Sequence, residues 1–168
     1  MSINVDDYKP AIVYTIYIAS TTDKVWDALT SAEFSKTYFS GNSVEIESNI
    51  GGSFAVRGPD GSTNITGEVI AWDPPRRLTI TWGDNWHNLV KHLGLTLVTY
   101  EIEPIGNAVR RTMLQSHDRP ISDDILSGGR QGWPAILSNL KSAIETGKAM
   151  TIKLEQPRRM IEAISKLQ

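Results

Sequence analysis

Cysteine is absent from the 168-residue chain, which excludes disulfide staples, thiolate metal sites and a cysteine nucleophile together. Long apolar runs are missing too, since nothing approaches the roughly 18 consecutive apolar residues that span a bilayer. The opening MSINVDDYKP has no charged-then-apolar signal pattern, so a cytoplasmic protein with no membrane partner is expected. Charge of one sign is also lacking. Seventeen basic residues against nineteen acidic ones give a formal charge of -2. The basic residues gather only in the pairs Arg76-Arg77, Arg110-Arg111 and Arg158-Arg159, so no nucleic-acid partner is expected. Histidine is scarce, with three in all. His87 and His92 are five apart, off the i, i+4 spacing that places two ligands on one helix face, so neither a metal nor another cofactor is expected. Gly51-Gly52-Ser53-Phe54-Ala55 lacks the second glycine of a nucleophile elbow and lies in a hairpin, so no catalytic residue is assigned.

What the chain does have is amphipathic periodicity. Over Gly132 to Gly147, Trp133, Ile136, Leu137, Leu140 and Ile144 recur at i, i+3, i+4 spacing, which predicts one long helix with a single buried face. Asn139, Lys141, Ser142 and Glu145 fall on its other side. Pro134 fits near the helix start and Gly147 fits a left-handed cap. Pro120 to Gly132 reads as a loop or broken helix, with Ser122, Asp123 and Asp124 as a start signal and Gly128-Gly129 as an interruption.

Upstream, the dominant period is two. Ile12 to Ala19 alternates as a first strand. Two short helices follow, one capped by Ser20 and carrying Val25, Trp26 and Leu29, the next started by Thr30 with Glu33 and carrying Phe34, Tyr38 and Phe39. Strands are then expected around Val44 and Ile46, around Phe54 and Val56, from Thr63 to Trp72, and from Arg77 to Gly83. In the last of these, Leu78, Ile80 and Trp82 are buried while Thr79 and Thr81 face water. Two more strands run from Leu95 to Glu103 and from Val109 to His117. Between them and the earlier strands, Asp84 to Gly94 places Trp86, Leu89, Val90 and Leu93 at helical spacing, which predicts a short lid.

Residues 1–11 read as a flexible start, 12–148 as one domain, and 149–168 as an amphipathic extension with Met160, Ile161, Ile164 and Leu167 in a stripe. The fold class is α+β, an antiparallel sheet of about seven strands curled around a long C-terminal helix. Function is sought between helix and sheet. Candidate ligand-binding residues are Trp82, Tyr100, Trp133, Leu137, Leu140 and Tyr38, with Arg111 and His117 as polar partners. For the last strand two registers stay open. One turns Arg111 and Gln115 inward, and the other turns both to solvent.

Several stretches resemble one family. They are Lys24-Val25-Trp26-Asp27-Ala28-Leu29, Tyr38-Phe39, Gly51-Gly52-Ser53-Phe54, Gly67-Glu68-Val69-Ile70, Asp73-Pro74-Pro75-Arg76-Arg77-Leu78 with Trp82, and Gly132-Trp133 with Glu145-Thr146-Gly147. In this order they resemble the START-like, or helix-grip, superfamily, in the branch related to the C-terminal domain of the Hsp90 ATPase activator Aha1. The resemblance implies a helix-grip fold from about Val13 to Gly147, and it implies a chaperone partner as one role. The leading expectation is non-enzymatic binding of a small, mainly apolar molecule. A chaperone-regulating or interaction module is the alternative, and a cyclase- or hydrolase-like enzyme the third. The terminal stripe is expected either to fold back or to complete a homodimer.

Overall fold

The computed structural model describes residues 3–84 and 93–167. Strand β1 (Lys9–Ile18) leads into two short helices, α1 (Thr22–Thr30) and α2 (Ala32–Tyr38). Six strands follow: β2 (Ser43–Ile46), β3 (Ser53–Arg57), β4 (Thr63–Asp73), β5 (Arg77–Asp84), β6 (Thr96–Ile105) and β7 (Ala108–His117). Helices α3 (Asp123–Thr146) and α4 (Arg158–Ser165) come after them. The seven strands form one antiparallel sheet in the order β1-β7-β6-β5-β4-β3-β2, and α3 packs across it against β1, α1 and α2. This is the helix-grip fold. Register shifts at Pro10/Ile12, Val56/Arg57 and Val69/Ala71 are the local irregularities that bend strands and increase twist, which lets the sheet curl.

The helix starts differ by one residue from the expected caps. Thr21, not Ser20, accepts from the Lys24 amide, and Ser31, not Thr30, accepts from Phe34 N. Thr30 instead donates its hydroxyl to the Trp26 carbonyl. β1 begins at Lys9, ahead of the alternation that starts at Ile12.

The largest correction concerns the long helix. It runs unbroken from Asp123, capped by the Ser122 side chain on Ile125 N, and it passes through Gly128, Gly129, Gly132 and Pro134 before Gly147 ends it at φ 79°. Each glycine in a helix interior costs about 1 kcal/mol relative to alanine, so packing must offset it. At Gly128 a Cβ would fall inside the contact radius of Met160 Sδ, and at Gly129 it would lie 2.9 Å from Ile12 Cδ1. Both positions are sites of close approach. Pro134 has no amide to give the carbonyl four residues back. That carbonyl, Arg130 O, accepts the Tyr14 hydroxyl at 3.0 Å instead.

Two surface assignments also change. Thr79 and Thr81 on β5 are buried rather than wet. β5 is an inner strand, and Thr79 shares a 3.0 Å hydrogen bond with Thr99 on β6, while Thr81 Oγ1 accepts from Glu68 N at 2.8 Å. Asn139, expected on the polar side of α3, is buried, with its Oδ1 unpartnered among the described residues.

The extension folds back. Met160 and Ile164 of α4 are buried, while Ile161 stays exposed. Gln131 Nε2 on α3 donates to the Glu155 carbonyl at 2.6 Å, and Ser142 Oγ donates to Lys148 O at 2.6 Å. No helix among the described residues is long and apolar enough to cross a membrane.

Candidate functional site

Alternation on β7 decides which side chains enter the grip. Val109, Arg111, Met113 and His117 are buried, and Gln115 between them is half-buried, so the register with arginine inside is the one adopted. β5 presents Leu78, Ile80 and Trp82 on the same side of the sheet, and α3 lowers Trp133 onto them. The indoles of Trp82 and Trp133 lie 5.3 Å apart at 56°. Trp133 also meets Tyr100 edge-on at 6.4 Å, and Trp82 is flanked by Phe39 at 6.4 Å and Phe54 at 5.7 Å. This cluster crosses the interior from sheet to helix and divides it.

On one side lies a cavity of about 440 Å³, within the size range of small-molecule sites. Its sheet wall includes Ile65, Trp82, Thr96, Gln115 and His117. Its helix wall is a single stripe of α3, with Ile125, Gly128, Gly129, Gly132, Trp133 and Ile136. Of the three glycines, Gly132 alone faces open space, whereas a Cβ on Gly128 or Gly129 would run into Met160 or Ile12. Gln156 and Met160 line another part, and Asp84, Leu93 and Gly94 also contribute. Trp86, Leu89 and Val90 of the expected lid lie outside the described residues, as do His87 and His92.

The cavity wall carries an ordered polar chain. Trp133 Nε1 donates to Gln115 Oε1 at 2.8 Å, which turns the Gln115 amide nitrogen toward His117 Nε2 at 3.1 Å. Nε2 then accepts, so the imidazole proton sits on Nδ1, which is buried and has no partner among the described residues. Burial pushes the His117 pKa down, against a smaller upward pull from Asp118. The ring is therefore neutral near pH 7, with one N–H unused.

On the other side of the aromatic cluster is a much smaller void of about 10 Å³, bordered by Tyr38, Tyr100 and Arg111 among apolar side chains. Phe39, Trp82 and Ile136 line both spaces. Arg111 is 1 % exposed, and its guanidinium lies 4.5 Å from the centre of the Tyr100 ring. Desolvation pushes the Arg111 pKa down, partly opposed by Tyr100 and Tyr38. Burial pushes both phenols up, Tyr100 to about 12.

Of the residues anticipated from sequence, Trp82, Trp133 and His117 line the larger cavity, and Tyr38, Tyr100 and Arg111 the smaller void. Leu137 and Leu140 are packed in the interior and border neither. Leu93 is the described residue of the lid set that reaches the cavity. Sequence reasoning missed Phe39, Ile136, Met160 and the glycine face of α3. A signal was available in Gly128, Gly129 and Gly132, whose i, i+1, i+4 spacing places them on one helical face. No cluster of metal-ligating side chains exists among the described residues.

Comparison with known proteins agrees with this architecture. A sequence profile described as Activator of Hsp90 ATPase homolog 1-like protein matches residues 19–145. Among solved structures, the Aha1 dimer from Colwellia psychrerythraea aligns with a TM-score of 0.65 at 19 % identity, covering 82 % of this chain and 98 % of that one. PFC0360w, an HSP90 activator from Plasmodium falciparum, aligns at 0.64 and 19 % identity, covering 83 % and 97 %. CalU16 from Micromonospora echinospora gives 0.64 at 20 % identity, covering 92 % and 81 %. At such identities the structural likeness establishes the fold alone. No curated protein matches in sequence. The profile match spans most of the chain, and the chain belongs to the family of Activator of Hsp90 ATPase homolog 1-like proteins.

Proposed function

We propose that the protein binds a small, mainly apolar ligand in the cavity between the sheet and α3. The observation that carries this reading is the 440 Å³ space itself, walled by Trp82, Trp133, Ile136 and Met160 and supplied with an oriented polar chain from Trp133 through Gln115 to His117. Apolar walls supply affinity and a few placed polar groups fix orientation, which is the usual composition of a ligand site. A ligand burying about 300 Å² of apolar surface would gain about 7.5 kcal/mol before ordering costs. Native mass spectrometry of gently purified protein tests this. The expected result is a discrete mass increment that organic extraction removes. Absence of any increment, together with no saturable uptake of small apolar probes, would refute it.

A second reading is favoured by the family and by the two solved neighbours described as Aha1 or an HSP90 activator. On this reading the chain is a chaperone-regulating module. Val13 and Tyr17, 52 % and 53 % exposed on the edge strand β1, are the candidate contact residues. Acceleration of Hsp90 ATPase turnover by the protein, lost in Tyr17→Ser, would support it, and no effect at saturating protein would remove it. A homodimer through the extension would use Leu154 and Ile161, which α4 leaves exposed, and sedimentation of Ile161→Lys against the parent chain tests that contact.

A further inference from the structure

Arg111 is a buried cation paired with no anion among the described residues. Among the described residues Nε and Nη1 have no hydrogen-bond partner, and the groups that act on the guanidinium are two phenols, Tyr100 and Tyr38. Residues 85–92, NWHNLVKH, contain no carboxylate. An unpaired guanidinium in an apolar interior is costly, and a fold keeps one only where something offsets the cost. The ring of Tyr100 offsets part of it as a cation–π contact. The N–H groups of two nitrogens are still unused, and Arg111 borders a 10 Å³ void that has room for about one water-sized atom.

That void and the large cavity share Phe39, Trp82 and Ile136. These three side chains separate the two spaces and are only partly buried, and a rotamer change in one of them is required to join the two. A ligand lying in the large cavity would then direct one end at Arg111, with the Tyr38 and Tyr100 hydroxyls as additional donors beside it. Unused guanidinium donors, flanked by phenols that can also donate, favour an acceptor-only group. A carboxylate meets this requirement, with two oxygens that accept from a guanidinium fork.

We infer that the ligand is an amphipathic monocarboxylate whose apolar body fills the cavity between sheet and α3 and whose carboxylate pairs with Arg111. This rests on the ligand-binding reading above and narrows its chemical class. The polar chain ending at His117 lies in the wall of the larger cavity and would contact the ligand's body or far end. The guanidinium decides the charge.

The test compares octanoate with octanamide, which match in shape and differ in charge, by titration calorimetry on the full chain. Wild type should bind octanoate about tenfold tighter or more, the factor expected of one charge-assisted hydrogen bond. In Arg111→Met the preference should vanish, with the ratio of octanoate to octanamide affinity falling to about one or below. Arg111→Lys, which keeps the charge, should retain a preference. The wild-type ratio is informative even if a variant fails to fold, and so is the Arg111 Nε–H resonance, which should shift with octanoate and not with octanamide. Equal affinities in wild type overturn the carboxylate assignment and leave the cavity reading intact. Binding of neither probe overturns both. A preference that survives in Arg111→Met places the anion elsewhere and also overturns the assignment.

Discussion

Gly132 offers the sharpest perturbation because its two expected effects have separate readouts. It sits in the middle of the α3 stripe facing the cavity, its backbone is helical, and a Cβ placed on it meets no atom within 4 Å. Gly132→Ala should therefore gain the helical preference of alanine, about 1 kcal/mol, which raises Tm by about 2–4 °C for a chain of this size. Gly128→Ala is the control in the same helix. There the same gain meets a Cβ driven into Met160 Sδ, and overpacking of about 1–3 kcal/mol should cancel or reverse it. Gly132→Leu extends the side chain into the cavity, so it should fold with near-parental stability and lose at least tenfold in affinity for octanamide. Thermal melts and titration calorimetry on the three variants and the parent suffice. Loss of more than about 2 kcal/mol in Gly132→Ala would show that the helix face is filled, and parental affinity in Gly132→Leu would show that ligands bind elsewhere.

Other expectations can be checked on the same footing. Tyr14→Phe removes the donor to Arg130 O and should cost about 1 kcal/mol; in a Pro134→Ala background, where a helical amide can replace it, the cost should fall to near zero in a denaturation cycle. Leu140→Ala, at a fully buried position on α3, should cost about 2–5 kcal/mol in urea unfolding. For His117, burial holds the folded pKa below its ordinary value near 6.5, so below that pH the unfolded chain binds more protons than the folded one. Its contribution to stability is complete above pH 6.5 and is lost as pH falls toward the folded pKa. Stability of wild type relative to His117→Gln should thus decline between pH 7 and pH 5, and a constant difference would contradict a neutral buried ring.

Much of this fold was legible from residues whose pattern is local. Val25, Trp26 and Leu29 announced a helix, and the alternation of Leu78, Ile80 and Trp82 announced a strand, because one element's period is set by its own backbone. The cap of α3 was legible at Ser122, but its unbroken run was not. Gly128, Gly129, Gly132 and Pro134 each weaken a helix taken alone, and the compensation comes from Met160, Ile12 and Tyr14, partners far away in sequence. Thr79 and Thr81 misled for a similar reason: a threonine on a central strand is covered by neighbours that alternation cannot reveal. At the site, the aromatic wall of Trp82 and Trp133 could be anticipated from size and position. The register of β7 could not be, since Arg111 inside and Arg111 outside fit the same string of residues. Only the sheet pairing, with Arg111 opposite Ile102 and Ile16, selects one.

If the space between sheet and α3 receives a ligand, as proposed, the indole resonances report on it directly. Trp82 and Trp133 line the cavity, whereas Trp26 and Trp72 pack against each other at 5.0 Å and border neither cavity nor void. Titration of ¹⁵N-labelled protein with octanamide, the neutral probe, should shift the Trp133 Nε1–H and Trp82 indole signals saturably and leave those of Trp26 and Trp72 in place. Shifts confined to Trp26 and Trp72, or no saturable shift at Trp82 and Trp133, would contradict the account.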